Sequence, residues 1–286
     1  MSIKLIATDI DGTLLDSHHQ ISEENLAALD EAAARGIEIV LVTGRRFDFA
    51  RQIADQLRCN WHLISSNGAV IKSPDGKTHQ RDLLDVGLAR RVLDATHEFR
   101  SGTAVVFDRE RPRQVVVEKI DLDDPYRGSY FRRNIEFVTA INPLTDCLNG
   151  EDPIQVGYVG RCSHMREIKS VLENLPFADN YTLAMTEYEF RDLSILDVLK
   201  RGVTKGKALA DWTQRRGFRP DEVMAVGDNW NDREMLEFAG TPILMGNAVA
   251  ELKSQGWAIT GTNDESGLAA AIRTYALEAA EGAVVN

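Results

Sequence analysis

Apolar positions along the chain follow two rhythms. In KLIATD (residues 4–9), IEIVLVTGR (37–45), WHLISSNGA (61–69) and DEVMAVGDN (221–229), apolar residues run almost without interruption and each run ends in polar residues. Such runs predict short strands buried on both faces. Between them the apolar positions recur at helical spacing. Leu26, Leu29 and Ala33 mark one helix, with Ser22 as its N-cap, Glu23 and Glu24 in its first turn and Gly36 as its stop. Further helices are predicted from about Phe47 to Leu57, from Thr204 (as N-cap) to Gly217, and up to Gly240. Single strands alternating with helices predict an α/β fold with a doubly wound parallel sheet, covered by helices on both faces.

The middle of the chain changes rhythm. A helical VGLARRVLDATHEF leads into TAVVFDRERPRQVVVE, two strands around an Arg-rich turn with Arg109, Arg111 and Arg113. PIQVGYVG reads as a strand, HMREIKSVLEN as a helix and YTLAMTEYEFRDLSI as strand again, while DDPYRG and NPLTDCLNGEDP read as loops. Paired strands predict an α+β module with an antiparallel sheet. The expected organisation is a core from residues 1–83 and 190–286, interrupted by an inserted domain over 84–189, with the chain back in the parallel sheet near Ser194.

Composition narrows the function. With 286 residues and 43% hydrophobic content, the chain can bury a substantial core. It has neither a membrane-length apolar run nor the flanks of a signal peptide, which makes the cytoplasm the expected location. A formal net charge of −11 argues against nucleic acid as partner but leaves room for a small anionic ligand in a locally basic pocket. Cys59, Cys147 and Cys162 are scattered and form no CxxC.

In open parallel sheets, ligands bind at the carboxyl ends of the strands. Here those ends carry Asp9 and Asp11; Thr43, Gly44 and Arg45; Ser65, Ser66 and Asn67; and Asp228, Asn229, Asn231 and Asp232. DIDG alone also fits an ordinary turn. With Asp228 and Asp232 at the same edge, the carboxylates repel one another and need a cation or a proton. An all-oxygen donor set without histidine suits a hard ion, Mg²⁺ above all. Lys205, in the first turn of its helix, opposes the helix dipole, so dipole and ammonium together point to an anion. Lys207 reads as a solvated lysine. Thr43 and Gly44 offer a hydroxyl and an unhindered N–H for a phosphate oxygen, or a plain strand-to-loop cap. GKT at residues 76–78 lacks the glycine a P-loop needs, since Ile71 stands there.

Together, DIDGT (9–13), VTGR (42–45), Lys205 in GVTKGKAL and GDNWND (227–232) resemble the four motifs of the haloacid dehalogenase superfamily of phosphatases. SNGA (66–69) and MGNA (245–248) resemble its Cof-like subfamily. The resemblance implies a Rossmann-like core with an inserted α+β cap domain that closes over it and selects the substrate. It implies Asp9 as nucleophile forming an aspartyl-phosphate, and Asp11 as general acid and then base. Mg²⁺ is expected on Asp9, the Asp11 backbone carbonyl and Asp228, with Asp232 in support, and the phosphoryl group on Thr43, Lys205 and Asn231. Arg45 and Asn67 are expected either to contact substrate or to brace their loops. The arginines of the cap turn are expected to form a solvated hairpin.

The implied activity is a Mg²⁺-dependent phosphomonoesterase acting on a small phosphorylated metabolite, a sugar phosphate or a cofactor phosphate such as flavin mononucleotide or pyridoxal phosphate. Two alternatives stay open: a phosphomutase or phosphotransferase of the same superfamily, and a non-catalytic binding protein on the same fold. Net release of inorganic phosphate separates the first of these from a hydrolase. A nucleotide-binding oxidoreductase also fits the α/β pattern, but no GxGxxG follows the first strand.

Overall fold

The structure, a computed structural model, describes residues 2–109 and 112–278. The chain up to Arg81 and from Thr204 onward forms one compact unit, and Asp82–Val203 forms another. The first unit opens with β1 (Leu5–Thr8), α1 (Glu23–Ala34), β2 (Glu38–Val42), α2 (Phe47–Ala54), β3 (Trp61–Ser65), β4 (Val70–Lys72) and β5 (Thr78–Arg81). The second unit contains α3 (Val86–Ala95), β6 (Thr103–Val106), β7 (Val115–Val117), α4 (Gly128–Asn134), β8 (Val138–Ala140), β9 (Gln155–Gly160), α5 (Cys162–Glu173), β10 (Tyr181–Tyr188) and β11 (Leu193–Lys200). The first unit then resumes with α6 (Lys205–Arg216), β12 (Val223–Gly227), α7 (Arg233–Phe238), β13 (Thr241–Leu244), β14 (Ala258–Ile259) and α8 (Gly267–Ile272).

Among the described residues, the first unit's strands form one sheet in the order β14-β13-β12-β1-β2-β3-β4-β5. Pairing is parallel from β14 through to β3 and antiparallel for β4 and β5. The unbroken apolar runs are explained by burial on both faces. Along β2, Ile39 and Leu41 pack into a cluster with Leu29, Ala50 and Leu268, while Val40 and Val42 pack into another with Leu209, Trp212 and Leu236. Each fully buried aliphatic side chain contributes roughly 1.5–3 kcal/mol. The caps follow the local sequence: Ser22 Oγ accepts from Asn25 N–H, Thr204 Oγ1 accepts from Lys207 N–H, and Gly217 ends α6 in the left-handed region at φ 74°.

The second unit carries a sheet in the order β10-β11-β9-β6-β7-β8, antiparallel apart from β7 with β8. Its core joins Val105, Val116, Tyr158, Leu196 and Val198 to Leu93, Ile168 and Leu172 of the helices. The expected return to the parallel sheet near Ser194 is corrected here. β11 pairs antiparallel with β10 and β9 throughout, and the first unit resumes only at Thr204. The reason is local: Tyr181–Tyr188 and Leu193–Lys200 are joined by the short turn at Glu189–Asp192, which makes them a hairpin.

The expected solvated hairpin is also different in detail. Arg109 pairs with Glu151 at 2.6 Å, and its guanidinium lies 3.8 Å from the centroid of Phe107. Arg113 is exposed, and Arg111 lies outside the described residues. Among the described residues no helix is long and apolar enough to cross a membrane.

Candidate active site

The carboxyl end of the parallel sheet gathers the polar residues. Asp9 directly follows β1, and its N–H donates to the Val226 carbonyl of β12 at 3.0 Å, extending the ladder before the chain turns away. The turn depends on Gly12, at φ +84°, where a Cβ would stand 2.5 Å from Asp228 Oδ2. β12 ends at Gly227, which delivers Asp228 beside Asp9, and the short turn at Trp230–Asp232 returns Asp232 beneath both.

Lys205, the first residue of α6, reaches into this cluster. Its Nζ donates to Asp9 Oδ1 and to Asp232 Oδ1, each at 2.6 Å, and its side chain is 1% exposed. The other Asp232 oxygen accepts the N–H groups of Asp228 and Asn229, both at 3.0 Å. Thr13 Oγ1 donates to Asp228 Oδ1 at 2.9 Å. Asp9, Asp228 and Asp232 each offer an oxygen within 4.8 Å of the others.

This cluster holds more negative than positive charge away from water. Burial is the main force on Asp9; Lys205 opposes it, Asp232 and Asp11 reinforce it, and the carboxyl is pushed up to about 7. Burial and the neighbouring Asp9 and Asp232 push Asp228 well above the usual carboxylate range. Burial alone would lower the Lys205 ammonium, but Asp232 and Asp9 outweigh it and hold it above its ordinary value. Buried oxygen donors short of a counter-charge fit a hard divalent cation.

A pH dependence follows with a definite sign. The folded Asp9 carboxyl, at about 7, binds a proton that the unfolded one, at 3.8, has released in between, so stability falls as pH rises through that window. Asp228 acts in the same direction. Protein kept in a chelator should therefore unfold at progressively lower temperature from pH 5 to pH 7.5, and excess Mg²⁺ should remove most of that slope. A thermal melt series with the same slope in chelator and in Mg²⁺ would remove the cluster as a cation site.

The remaining candidates occupy the neighbouring strand ends. Thr43 is fully buried after β2; its hydroxyl accepts from Arg45 N–H at 3.1 Å and its carbonyl accepts from Asn67 N–H at 3.0 Å. Ser66 N–H donates to the Arg45 carbonyl at 2.8 Å, which ties the two loops together. Gly44 lies against the Asn67 side chain, 3.1 Å from the position a Cβ would take, and Asn231 Nδ2 donates to Asn67 Oδ1 at 3.0 Å. The Asp11 side chain is turned from the three-carboxylate cluster toward Arg45, which donates to it from Nε at 2.6 Å and from Nη2 at 2.5 Å. Lys207 points away and pairs with Asp211 one turn along α6.

Sequence reasoning assigned no role to Thr13 or Asn247. Thr13 holds Asp228, and Asn247 Nδ2 donates to the Gly12 carbonyl at 2.8 Å, bracing the turn after Asp9. Both lie inside the quoted motifs DIDGT and MGNA, so their positions were visible while their bonds were not.

Residues 6–272 match the family of haloacid dehalogenase-like hydrolases. Phosphatase YwpJ of Bacillus subtilis (strain 168) is 31% identical over 283 residues, covering 93% of this chain and 98% of the relative. From the same organism, 5-amino-6-(5-phospho-D-ribitylamino)uracil phosphatase YcsE is 32% identical over 277 residues, with 97% of each chain covered. A solved structure of a haloacid dehalogenase-like hydrolase from B. subtilis superposes with a TM-score of 0.80 at 29% identity, covering 95% of this chain and 99% of that one. The chain belongs to the haloacid dehalogenase-like hydrolases, and within them it is a phosphatase.

Proposed function

We propose that the protein is a Mg²⁺-dependent phosphomonoesterase that hydrolyses a small cytoplasmic phosphate ester through an aspartyl-phosphate on Asp9. The observation that carries this reading is the placement of Lys205 Nζ between Asp9 and Asp232, with Asp228 alongside. Asp9, the Asp11 carbonyl and Asp228, with Asp232 in support, would hold Mg²⁺, whose charge would lower the repulsion between the attacking carboxylate and the phosphoryl dianion.

Asp9 attacks phosphorus, the bond from phosphorus to the leaving oxygen breaks, and Asp11 delivers its proton to that oxygen. Asp11, now a carboxylate, takes a proton from water as the water oxygen bonds to phosphorus, and Asp9 is released. Lys205, the Thr43 hydroxyl, the Gly44 N–H and Asn231 hold the phosphoryl oxygens, whose spread charge makes positioning and fixed positive charge the main contributions. Asn67, bonded to Asn231, braces that side.

The substrate class is a compact phosphorylated metabolite, the kind of molecule named in the relative that acts on a phosphoribitylamino-uracil. Sugar phosphates, flavin mononucleotide and pyridoxal phosphate belong to the same class. Selection among them is assigned to the inserted unit, Asp82–Val203.

The test is inorganic phosphate release from a panel of sugar, nucleotide and cofactor phosphates, with Mg²⁺ and with EDTA. Release from a few members is expected, reduced at least ~10²-fold by EDTA. Release that survives EDTA unchanged would remove the metal from the mechanism, and transfer of phosphate to a second sugar without net release would make the protein a phosphotransferase.

A further inference from the structure

We propose that Arg45 is a positioning residue for the Asp11 carboxylate rather than a ligand of the substrate, and that the Phe49 ring holds the guanidinium in place. The inference rests on the proton-moving role proposed for Asp11. Both Asp11 oxygens accept from Arg45, Oδ2 from Nε at 2.6 Å and Oδ1 from Nη2 at 2.5 Å. This is the two-pronged geometry in which a planar guanidinium fixes the plane of a carboxylate. The two side chains are only 17% and 23% exposed, so water screens the pair incompletely.

Arg45 is held at both ends. At its root, the backbone N–H donates to Thr43 Oγ1 at 3.1 Å and the carbonyl accepts from Ser66 N–H at 2.8 Å. At its head, Cζ lies 4.6 Å from the centroid of Phe49, within the first turn of α2. A side chain clamped between an aromatic face and a carboxylate is oriented toward that carboxylate.

The contribution falls on a particular half of the reaction. Each carboxylate oxygen has two lone pairs, so an Asp11 carboxylate held by Arg45 still has one on each oxygen for a water proton. In that half, the water oxygen bonds to phosphorus, the bond from phosphorus to Asp9 breaks and leaves a free carboxylate, and the proton passes to Asp11. In the first half, a leaving group as weakly basic as p-nitrophenolate departs without needing a proton, so Arg45 contributes little there.

With p-nitrophenyl phosphate, kcat then reports hydrolysis of the phospho-enzyme and kcat/KM reports its formation. R45A should lower kcat on the order of 10²-fold. KM should fall by the same factor, leaving kcat/KM within about twofold. Rapid-quench traces should show a p-nitrophenolate burst with an amplitude of one per site, which also counts folded enzyme. R45K, a point charge in place of a fork, should not restore kcat, and F49L should give a smaller loss with the same split. In a D11N background, R45A should add nothing.

A rise in KM with a fall in kcat/KM would make Arg45 a substrate ligand and overturn the proposal. An unchanged kcat in R45A would overturn it as well. Should R45A not fold, R45K and F49L carry the same readouts. Failure of the underlying reading looks different: D11N itself would then keep the wild-type kcat.

Discussion

Asp9→Asn should stop turnover, lowering phosphate release by at least ~10⁴-fold. The substitution is nearly isosteric, so β1, its rung to Val226 and the turn at Gly12 stay in place. What changes is chemistry. An amide oxygen carries no formal charge and is a far weaker nucleophile toward phosphorus, and the amide keeps a single acceptor oxygen, the one that Lys205 Nζ requires at 2.6 Å. The cluster also loses one of its three anionic donors, which weakens its hold on a cation. Steady-state phosphate release measures the loss. Mass spectrometry of acid-quenched wild-type enzyme should find a phosphoryl adduct on the peptide containing Asp9, absent from the variant. A variant with near-normal turnover would mean that another group attacks.

Lys205→Met should damage activity and stability together. Removing one preorganised positive donor from a phosphoryl site costs on the order of 10²–10³-fold in kcat. The stability loss has a separate origin. Lys205 is the shared counter-ion of two buried carboxylates, Asp9 and Asp232, and methionine leaves both without it. Breaking a buried pair by deleting one partner costs about 3–5 kcal/mol. The loss should be largest at pH 8 and smaller at pH 5.5, because the Asp9 carboxyl, already pushed up by burial, takes a proton more readily once the ammonium is gone. Urea unfolding of wild type and variant in chelator at the two pH values checks this. Equal stability at pH 8 would mean that the buried lysine contributes no net stabilisation.

The strands that carry the site were legible in the sequence because they are central. β1, β2, β3 and β12 are buried on both faces, and only continuous apolar runs satisfy that environment. The edges were not legible. β5 is THQR, with no buried residue, and β14 is two residues long. β13 contains Pro242, a residue that argues against a strand when read alone. α4, over Gly128–Asn134, hides behind an opening glycine and two closing arginines. β11 was visible as a strand but not as the partner of β10, because an apolar run carries no record of which sheet it joins.

The site divides in the same way. The positions of Asp9, Asp11, Thr43, Lys205 and Asp228 follow from their places at strand ends and at a helix start. Their bonds do not. That Asp11 turns to Arg45 while Asp9 and Asp228 stay together depends on how the loops after β1 and β2 lie side by side, which spacing along the chain does not encode.

The order of synthesis meets an unusual obstacle in this sheet. β1 is flanked by β2 and by β12, whose residues leave the ribosome more than two hundred positions after Leu5. Until then, the growing chain has one side of β1 unpaired, and Asp9 has neither Lys205 nor Asp228 beside it. Asp82–Val203, by contrast, is continuous in sequence and holds all the partners of its own sheet. A nascent chain halted near residue 203 would carry a folded middle and an open-edged remainder, a form prone to pair with other chains. Asp9 is made well before Lys205, Asp228 and Asp232, so the carboxylate cluster assembles only after the segment that follows Val203 has been synthesised.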